Sequence, residues 1–417
     1  MTPPPGPAAL LKAPGAGRVL ALLSSGGEEA RIVGGAVRNA LLSRAVTDID
    51  IATTALPGEI LARAKKAGMR AIPTGMKHGT ITLLAGGASF EVTTLREDIE
   101  TDGRHAKVRF GRDFQADALR RDFTVNALSL DIEGRVHDYT GGLADLAARK
   151  IRFIGDARQR IREDYLRIPR LFRFHAQYGA GPLDRAALEA SIAERAGLAH
   201  LSRERIRAEF FKLLGGANAA GACRDMSDAG LLGLLLGGAP NPARLARTIE
   251  VEAARKSPAD ALLRLAALRV LIDEDVAHLR DTLRLTNEEQ AQLHKVTLAL
   301  GQWHGRGAAP PDDELRVFLF LIGRAAALDA ASLIHAAGGA PPDDETWRAA
   351  YDFLRKAPEP KLPFGGAEII SRGITAGPAI GRVLKTLQAQ WIRAGFPKDP
   401  AQLAKLLEEA VTEGRQG

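Results

Sequence analysis

The acid pair Asp48 and Asp50, which follows a glycine turn, most constrains how this chain can fold. The segment predicts a strand, a turn at Gly34 and Gly35, a short helix and a second strand. Side chains two positions apart on a strand point to the same face, so both carboxylates would project side by side. Two acids so close repel each other unless a cation lies between them, and Mg²⁺ prefers carboxylate oxygens together with substrate phosphates.

The residues around the turn predict that a phosphate binds beside the cation. Gly34 and Gly35 allow a backbone to approach a phosphate closely, and the helix that begins there favours anions at its N-terminus. Together with Arg38, the metal pair and the phosphate cradle predict nucleotide polymerisation chemistry. The alternative is a solvated turn acid beside an ordinary strand end, and the glycine and arginine run that precedes the acids disfavours it.

Length and composition set the outer limits. The 417 residues allow two to four domains, and a hydrophobic content of 46% allows large cores. We find no secretory signal and no apolar run approaching the roughly 18 residues of a membrane span. The single cysteine, Cys223, excludes an internal disulfide and a cysteine-built zinc site. We therefore expect a cytoplasmic protein with no membrane partner.

The basic residues are unevenly distributed along the chain. The net charge of +7 divides into +4 over residues 31–155, +4 over 156–216, −4 over 217–360 and +3 over 361–417. A polyanion that touches the first 216 residues and the tail would fit this distribution. The alternative is an arginine-rich composition with no functional meaning.

Hydrophobic periodicity separates the chain into a mixed head and a helical remainder. We predict an α+β protein, with a short N-terminal helix over Ala8–Leu23. The predicted strands are Arg31–Val33, Thr47–Ala52, Ala71–Pro73, Gly79–Leu84, Ser89–Leu95, Asn126–Asp131 and Ile151–Ile154. The predicted helices are Ala36–Ser43, Pro57–Ala67, Phe114–Arg121, Ile161–Tyr178, Arg185–Gly197, Arg203–Leu214, Gly221–Leu236 and Pro242–Ala254. The polar stretch Glu97–Arg109 is predicted to be a mobile loop.

An ordered series of motifs resembles one known family. The segments are Gly34-Gly-Ala-Val-Arg38 with Asp48-Ile-Asp50, Thr74-Gly-Met-Lys-His-Gly-Thr80, Glu91-Val-Thr-Thr-Leu-Arg96, Thr101-Asp-Gly-Arg-His105, Arg120-Arg-Asp-Phe-Thr-Val-Asn-Ala127, Asp138-Tyr-Thr-Gly-Gly-Leu143, Glu163-Asp-Tyr-Leu-Arg-Ile-Pro-Arg170 and Glu204-Arg-Ile-Arg-Ala-Glu209. In this order they resemble the bacterial class II tRNA nucleotidyltransferase/poly(A) polymerase family, of the DNA polymerase β-like superfamily. The resemblance implies a small mixed-sheet nucleotidyltransferase head at 31–155, after an extension at 1–30. A helical neck at 156–216, a body at 217–360 and a tail at 361–417 would follow.

Two positions depart from the family pattern. Asn39 stands where the family usually has aspartate, which affects a charge role at that position and not the metal site. Pro169 lies inside the predicted helix Ile161–Tyr178, where proline removes a hydrogen bond and would kink the helix. We therefore expect Arg170 to be aimed differently from Arg167.

The resemblance implies a role for most of the motif residues. Asp48 and Asp50 would hold two Mg²⁺ ions, with Glu91 as a third catalytic carboxylate, although an edge-strand surface glutamate is the alternative for Glu91. The implied triphosphate and ribose contacts are Gly34, Gly35, Arg38, Arg121, Asp122 and Asn126. For Asp122 a helix cap is the alternative.

The pair Asp164 and Arg167 is predicted to read the nucleotide base. At i and i+3 on one helix the two would be neighbours on one face. Cytosine and adenine each present an amino donor beside a ring-nitrogen acceptor, whereas uracil and guanine present the opposite order. Aspartate accepts and arginine donates, so the pair would select C and A without a nucleic-acid template. The alternative is an ordinary surface salt bridge; Glu163 would orient Arg167, and Arg170 is a further candidate.

Other segments carry weaker signals. The resemblance implies that Asp102, Arg104 and His105 belong to a flexible loop that switches from C to A addition. In the tail, Gly377–Gly381 precedes a predicted helix, Arg382–Arg393, whose Arg382 and Lys385 would contact tRNA; an amphipathic helix packed on the body is equally compatible. His137-Asp138 is predicted to be a turn, and the tryptophans are predicted to be core or hinge residues and not base-stacking platforms.

Taken together, the sequence predicts a template-independent RNA nucleotidyltransferase. Its substrates would be CTP, ATP and the 3′ end and acceptor arm of tRNA, to which it would add CCA with release of pyrophosphate. Within the same chemistry, a poly(A) polymerase or an enzyme that adds only A is the alternative. From another class, the alternative is a catalytically silent RNA-binding protein, against which the retained acid pair argues.

Overall fold

The structure is a computed structural model that describes residues 6–101, 106–375 and 377–416. It separates into two compact units, with the boundary after Leu235. The first unit contains the mixed sheet and the helices that follow it directly, and the second is helical in its described part. The predicted α+β class is confirmed.

The first unit opens with two helices, α1 (Ala8–Leu11) and α2 (Ala16–Leu23), and not with one. Gly15 separates them at φ +87°, a left-handed conformation that glycine adopts without a steric cost. The head then continues as β1 (Ala30–Val33), α3 (Gly35–Leu41), β2 (Ile49–Thr53), α4 (Pro57–Lys66), β3 (Arg70–Gly75), β4 (Thr80–Ala85), β5 (Ala88–Thr94), β6 (Arg96–Thr101), β7 (Ala106–Phe110), α5 (Phe114–Leu119), β8 (Ser129–Leu130), β9 (Val136–His137) and α6 (Gly142–Ala147).

The main sheet has the order β3-β4-β5-β2-β1-β8-β9. Strands β2 and β5 are parallel, and the other neighbours are antiparallel, so the sheet is mixed as predicted. Its buried face carries side chains such as Ile32, Ile51 and Val92, none of which has exposed surface above 1%. The parallel register sets Asp50 beside Glu91, which brings two predicted site residues together.

Two predictions for the head are wrong. Residues 151–154 form no strand; only an isolated bridge joins Phe153 to Phe123, whose rings stack with centroids 4.9 Å apart. The packing of these rings therefore buries the segment, although it has no ladder of backbone hydrogen bonds to a neighbouring strand. The stretch Glu97–Arg109 is not a loop throughout, because β6 and β7 pair as an antiparallel ribbon, with Thr101 opposite Ala106. Backbone pairing satisfies the main-chain groups whatever the side-chain polarity, so polarity alone misled the prediction.

The neck helices are α7 (Ala157–Glu163), α8 (Arg167–Tyr178), α9 (Arg185–Ala193), α10 (Arg203–Leu214), α11 (Ala219–Asp228) and α12 (Leu232–Leu236). The predicted single helix Ile161–Tyr178 is thus interrupted, and Asp164 is extended at φ −157° and ψ 107°. Pro169 is the third residue of α8. In this first turn the N–H has no intrahelical partner, so the expected disruption by proline does not occur.

The second unit consists, in its described residues, of α13 (Pro242–Ala254), α14 (Ala261–Arg269), α15 (Asp273–Leu283), α16 (Asn287–Trp303), α17 (Asp312–Leu321), α18 (Gly323–Gly338), α19 (Glu345–Lys356), α20 (Gly366–Ser371), α21 (Pro378–Arg393) and α22 (Pro400–Gln416). Trp303, Trp347 and Trp391 are buried, as predicted for core residues. The tail helix begins at Pro378 and not at Arg382, because proline is well tolerated in the first helical turn.

One described stretch, Asp312–Gly338, is long and apolar enough to cross a membrane by length and composition alone. The expectation that no apolar run approaches the length of a membrane span was therefore wrong. It contains the two helices α17 and α18, and 56% of its most apolar window is buried inside the structure. Phe318, Leu333 and Ile334 lie in the core of the second unit. This burial is the behaviour of core helices.

Candidate active site

Three carboxylates lie near the start of β2, but they do not by themselves make up a set of metal ligands. Asp50 lies on β2 and is in register with Glu91 on β5, whereas Asp48 just precedes the strand and accepts a hydrogen bond from the Thr47 hydroxyl at 2.9 Å. Burial, and then the charges of Glu91 and Asp48, raise the pKa of Asp50, and Arg121 partly offsets them. The acids therefore repel each other, which a bound cation would relieve.

The glycine turn is held in a conformation that excludes a side chain. Gly34 has φ +69°, and a Cβ atom there would lie 2.9 Å from Nη1 of Arg121. Gly35 then begins α3. A backbone without Cβ atoms thus packs closely against the Arg121 guanidinium, so the turn and a positive charge lie side by side.

Asp117 orients the two consecutive arginines of the next motif. Its buried carboxylate pairs with Arg120 and, at 3.0 Å, with Arg121. Burial alone would raise the pKa of Asp117, but the two arginines hold it below its usual value. Both guanidinium groups are therefore anchored by one ionised side chain, which the sequence analysis did not identify.

Asp122 connects the head to the neck. Its Oδ2 accepts from Nε of Arg170 at 2.8 Å, and its Oδ1 accepts from the Phe123 backbone at 2.8 Å and from Nδ2 of Asn126 at 2.9 Å. Burial alone would raise the pKa of Asp122, but these contacts keep it below its usual value. Asp122 is thus ionised, and both of its oxygens accept hydrogen bonds within the protein; the helix-cap alternative does not describe its contacts.

Arg38 continues the same hydrogen-bond chain. It is 6% exposed, donates to Oδ1 of Asn126 and donates to the Tyr178 hydroxyl at 2.8 Å. Asn39 accepts from Arg38 at 2.9 Å and donates its amide to the Ala45 carbonyl at 3.1 Å. An aspartate could not make the second bond, so the departure at position 39 gives a hydrogen bond in place of a charge.

On the neck side, Glu209 of α10 closes the network. Its carboxylate accepts from Arg173 at 2.6 Å and from Arg170 at 3.3 Å. Arg170 therefore lies between Asp122 and Glu209, and its direction is set by these two acids. We attribute its orientation to them and not to Pro169.

Asp164 and Arg167 lie on either side of the helix break. Asp164 accepts from Arg205 at 2.8 Å, while Arg167 donates to Glu163 at 2.7 Å. The prediction that Asp164 and Arg167 share one helix is wrong, because α7 ends before Asp164 and α8 begins at Arg167. The predicted contact between Glu163 and Arg167 is present, and each member of the proposed base-reading pair is ion-paired to a different residue.

A cleft of about 630 Å³, open to solvent, gathers most of these groups within the first unit. Its lining consists of Gly34, Gly35, Arg38, Asp50, Arg120, Arg121, Asp122, Asn126, Asp164, Arg167, Arg170, Arg173, Phe174 and Lys212. Four of them, Arg120, Arg173, Phe174 and Lys212, were not predicted as site residues from the sequence. Arg173 continues the three-residue spacing of Arg167 and Arg170 and would have been detectable by it; Lys212 has no comparable signal.

The remaining predicted residues lie elsewhere. Asp102, Arg104 and His105 fall outside the described residues, and Arg382 and Lys385 are exposed on α21 of the second unit. Asp138 forms the predicted turn by accepting from the Thr140, Gly142 and Leu143 backbones. Within the described ranges, no group of three or more His, Cys, Asp or Glu side chains can hold a metal ion. Asp48 and Asp50 would therefore need substrate phosphates and water to complete a metal site.

Comparison with known proteins matches the head and part of the helical segment that follows it to known families. Residues 30–152 match the poly(A) polymerase head domain, and residues 183–241 match the probable RNA and SrmB-binding site of polymerase A. Among curated relatives, the mitochondrial CCA tRNA nucleotidyltransferase 1 of Danio rerio is 34% identical over 92% of this chain and 88% of its own length. The CCA-adding enzyme of Lactobacillus delbrueckii subsp. bulgaricus is 32% identical over 93% and 96%.

Two solved structures that resemble this chain are also CCA-adding enzymes. The CCA-adding enzyme of Bacillus stearothermophilus in complex with CTP superimposes with a TM-score of 0.76 at 29% identity, covering 100% of both chains. The Thermotoga maritima CCA-adding enzyme with tRNA gives a TM-score of 0.64 at 20% identity, covering 95% of this chain and 94% of that one. The second match shows a shared fold.

Proposed function

Because the chain belongs to the bacterial class II CCA-adding enzyme/poly(A) polymerase family, we propose that it adds C and A from CTP and ATP to tRNA 3′ ends without a nucleic-acid template. One observation carries the proposal: a single cleft holds the acid Asp50, the glycine turn at Gly34 and the pair Asp164 and Arg167. Metal binding, phosphate binding and base reading would thus occur in one site.

Asp48 and Asp50 would hold the metal, with Glu91 beside them. Members of this family use divalent metals, and we propose two Mg²⁺ ions here because Asp50 lies in register with Glu91 and close to Asp48, and cations would relieve the repulsion among these carboxylates. When bound, the ions would activate the RNA 3′-hydroxyl and neutralise the triphosphate. The protein itself would contribute positioning and charge, which phosphoryl transfer chiefly requires.

The triphosphate and ribose would contact the glycine turn and the anchored arginines beside it. Gly34 and Gly35 offer a close backbone approach, and Arg121 is held against Gly34 by Asp117. Asp122 would accept from a ribose hydroxyl and so favour ribonucleotides. Since its oxygens are already engaged by Arg170 and Asn126, nucleotide binding would share or replace one of these contacts. Arg38 would act through Asn126, which it contacts.

Base selection would fall to Asp164 and Arg167, with Glu163 and Arg170 as supports. Asp164 would accept from the exocyclic amino group of C or A, and Arg167 would donate to the adjacent ring nitrogen. Uracil and guanine would present a carbonyl to Asp164 and an N–H to Arg167. Leaving both partners unsatisfied is strongly discriminating.

The direct test is incubation of the purified protein with tRNA that lacks its 3′ end, labelled CTP or ATP, and Mg²⁺. We expect products ending in CCA, identified by sequencing with acceptors that end before C, after C and after CC. Addition of A alone would indicate an A-adding enzyme, and long A tails a poly(A) polymerase. Binding of tRNA without incorporation would reject the catalytic proposal.

Residues Asp102–His105, which lie outside the described residues, would control the change from C to A addition. Replacing Asp102–His105 by glycines should spare C addition and impair A addition on acceptors ending in CC. The measurement is single-turnover incorporation on matched acceptors, with glycine replacement of the surface turn residues Glu133 and Arg135 as the control. Equal loss of both activities would contradict a switching role.

Two remaining proposals concern location and tRNA contact. The exposed Arg382 and Lys385 on α21 would contact the tRNA backbone, since phosphate contacts supply much of the affinity for nucleic acids. The single cysteine, Cys223, is buried. A protein without cysteine pairs suits a reducing compartment, and we infer a cytoplasmic location.

A further inference from the structure

Arg160 lies behind the cleft and contacts both parts of the nucleotide site. It is 9% exposed and belongs to α7. Its Nη2 donates to the backbone carbonyls of Arg120 and Arg121, which belong to the segment that faces the glycine turn. Its Nη1 donates to Oε2 of Glu163. One guanidinium therefore joins the triphosphate segment to the start of the base-reading segment.

Glu163 is shared between Arg160 and Arg167. Nη1 of Arg167 donates to the same Oε2 atom at 2.7 Å, and it also donates to the Arg160 backbone carbonyl at 2.6 Å. Both of these hydrogen bonds within the described part of the chain are donated by Nη1 of Arg167. The Nε and Nη2 edge of Arg167 could therefore donate to an incoming base, whose ring nitrogen is an acceptor.

The arrangement is electrostatically costly. Burial, and then the positive charge of Arg167, lower the pKa of Arg160. Nε of Arg160 is also buried without a hydrogen-bond partner in the described structure. Two guanidinium groups around one carboxylate oxygen are thus retained at a cost. Arg160 and Arg167 share Oε2, so Arg160 fixes the direction of the carboxylate. Without Arg160, Glu163 could turn both oxygens toward Arg167, and a two-pronged arginine–carboxylate pair would occupy the edge that faces the base.

We propose that Arg160 is a positioning residue for base selection. By holding Glu163 and the Arg120 and Arg121 carbonyls together, it prevents Glu163 from forming a two-pronged pair with Arg167. It also keeps the base-reading edge at a set distance from the phosphate-binding segment. This role rests on the proposed function, because it is exercised only if Arg167 reads the base.

The test uses the full-length protein with Arg160→Met, Arg160→Lys and the matched control Arg162→Met. Arg162 lies on the same helix, but its side chain is 61% exposed and pairs with Glu194 at the surface. The measurement is single-turnover kcat/KM for CTP, ATP, UTP and GTP on tRNA lacking its 3′ end. We expect Arg160→Met to lower kcat/KM for CTP and ATP by about tenfold or more, as befits a lost charge-assisted bond. UTP and GTP should be affected less, so discrimination falls.

The other variants separate positioning from general damage. Lysine can reach Glu163 or the carbonyls but has no fork to hold both, so Arg160→Lys should show an intermediate loss of discrimination. Arg162→Met should remain within about twofold of the parent. Because Arg160 acts through Glu163, the double variant Arg160→Met/Glu163→Gln should discriminate no worse than the poorer single variant. If Arg160→Met does not fold, as judged by thermal unfolding, Arg160→Lys decides the question.

Two outcomes would overturn the inference. One is a uniform loss for all four nucleotides with the preference for C and A unchanged, which indicates a structural role. The other is additive losses in the double variant, which indicate that Arg160 does not act through Glu163. In both cases the parent protein still incorporates C and A, whereas failure of the proposed function would appear as a parent without incorporation.

Discussion

Replacement of Asp50 by asparagine is expected to abolish incorporation of both CTP and ATP while leaving tRNA binding nearly intact. The substitution keeps the shape of a β2 side chain that faces Glu91 but removes a charged metal ligand. Metal stabilisation of a phosphoryl transition state is worth several kcal/mol, so the rate should fall by more than about 100-fold. RNA affinity comes from scattered phosphate contacts and should not fall with the rate.

The measurement is single-turnover incorporation alongside a tRNA-binding assay, with Glu133→Gln as the control. Glu133 is an exposed carboxylate of the same unit, so its neutralisation should change neither quantity. Asp48→Asn should behave like Asp50→Asn, and chelation of divalent metal should reproduce both in the parent. Robust turnover by the Asp50 variant would refute the metal assignment.

Replacement of Asp164 by alanine should lower discrimination against U and G more than it lowers overall rate. The amino group of C or A loses its acceptor, and the carbonyl of U or G no longer meets a carboxylate. A lost matched hydrogen bond is worth on the order of 1–3 kcal/mol, or about 5- to 150-fold in selectivity. Arg167→Ala should instead weaken C and A together, because both use its donors.

Competitive incorporation of the four nucleotides, scored as ratios of kcat/KM, decides this prediction. Glu189→Gln is the matched control, since Glu189 is an exposed neck acid paired with Arg185. The Arg205→Ala variant is a further test, because it removes the ion-pair partner of Asp164 without removing a residue that lines the cleft. Arg205 donates to the Asp164 carboxylate at 2.8 Å. A variant at Asp164 that slows uniformly and keeps its preference for C and A would show that this side chain is only an ion-pair partner.

The sequence predicted best those elements whose ends carry local signals. Helices α10 and α13 begin and end where predicted; Asn241 caps α13 and Pro242 begins it. The break between α7 and α8 was missed because Asp164 to Leu166 do not interrupt helical periodicity. Pro169 carried the relevant signal, since a proline is tolerated in a first turn and thus indicates a helix start just upstream.

The site was predictable to the extent that its residues are close in sequence. Asp48, Asp50 and the glycine turn could be recognised from spacing alone. The ion pair between Arg170 and Asp122 joins residues 48 positions apart, and no local pattern specifies it. Arg160 was missed, and Glu209 was quoted in a motif without a role, for the same reason: their importance lies in the partners that folding brings to them. Asp117 pairs with arginines only three and four positions away, so helical spacing could have indicated it.

The chain of ion pairs from Glu209 through Arg170 to Asp122 bears on how this enzyme can be recombined with its relatives. A hybrid joined between 155 and 156 would take Asp122 from one parent and Arg170 with Glu209 from the other. If the parents differ at any of these positions, the hybrid contains a buried charge without its partner, and breaking such a pair costs about 3–5 kcal/mol. A crossover after Gly216 keeps all three residues from one parent, so exchangeable modules in this protein are better defined by its ion pairs than by its head and neck boundary.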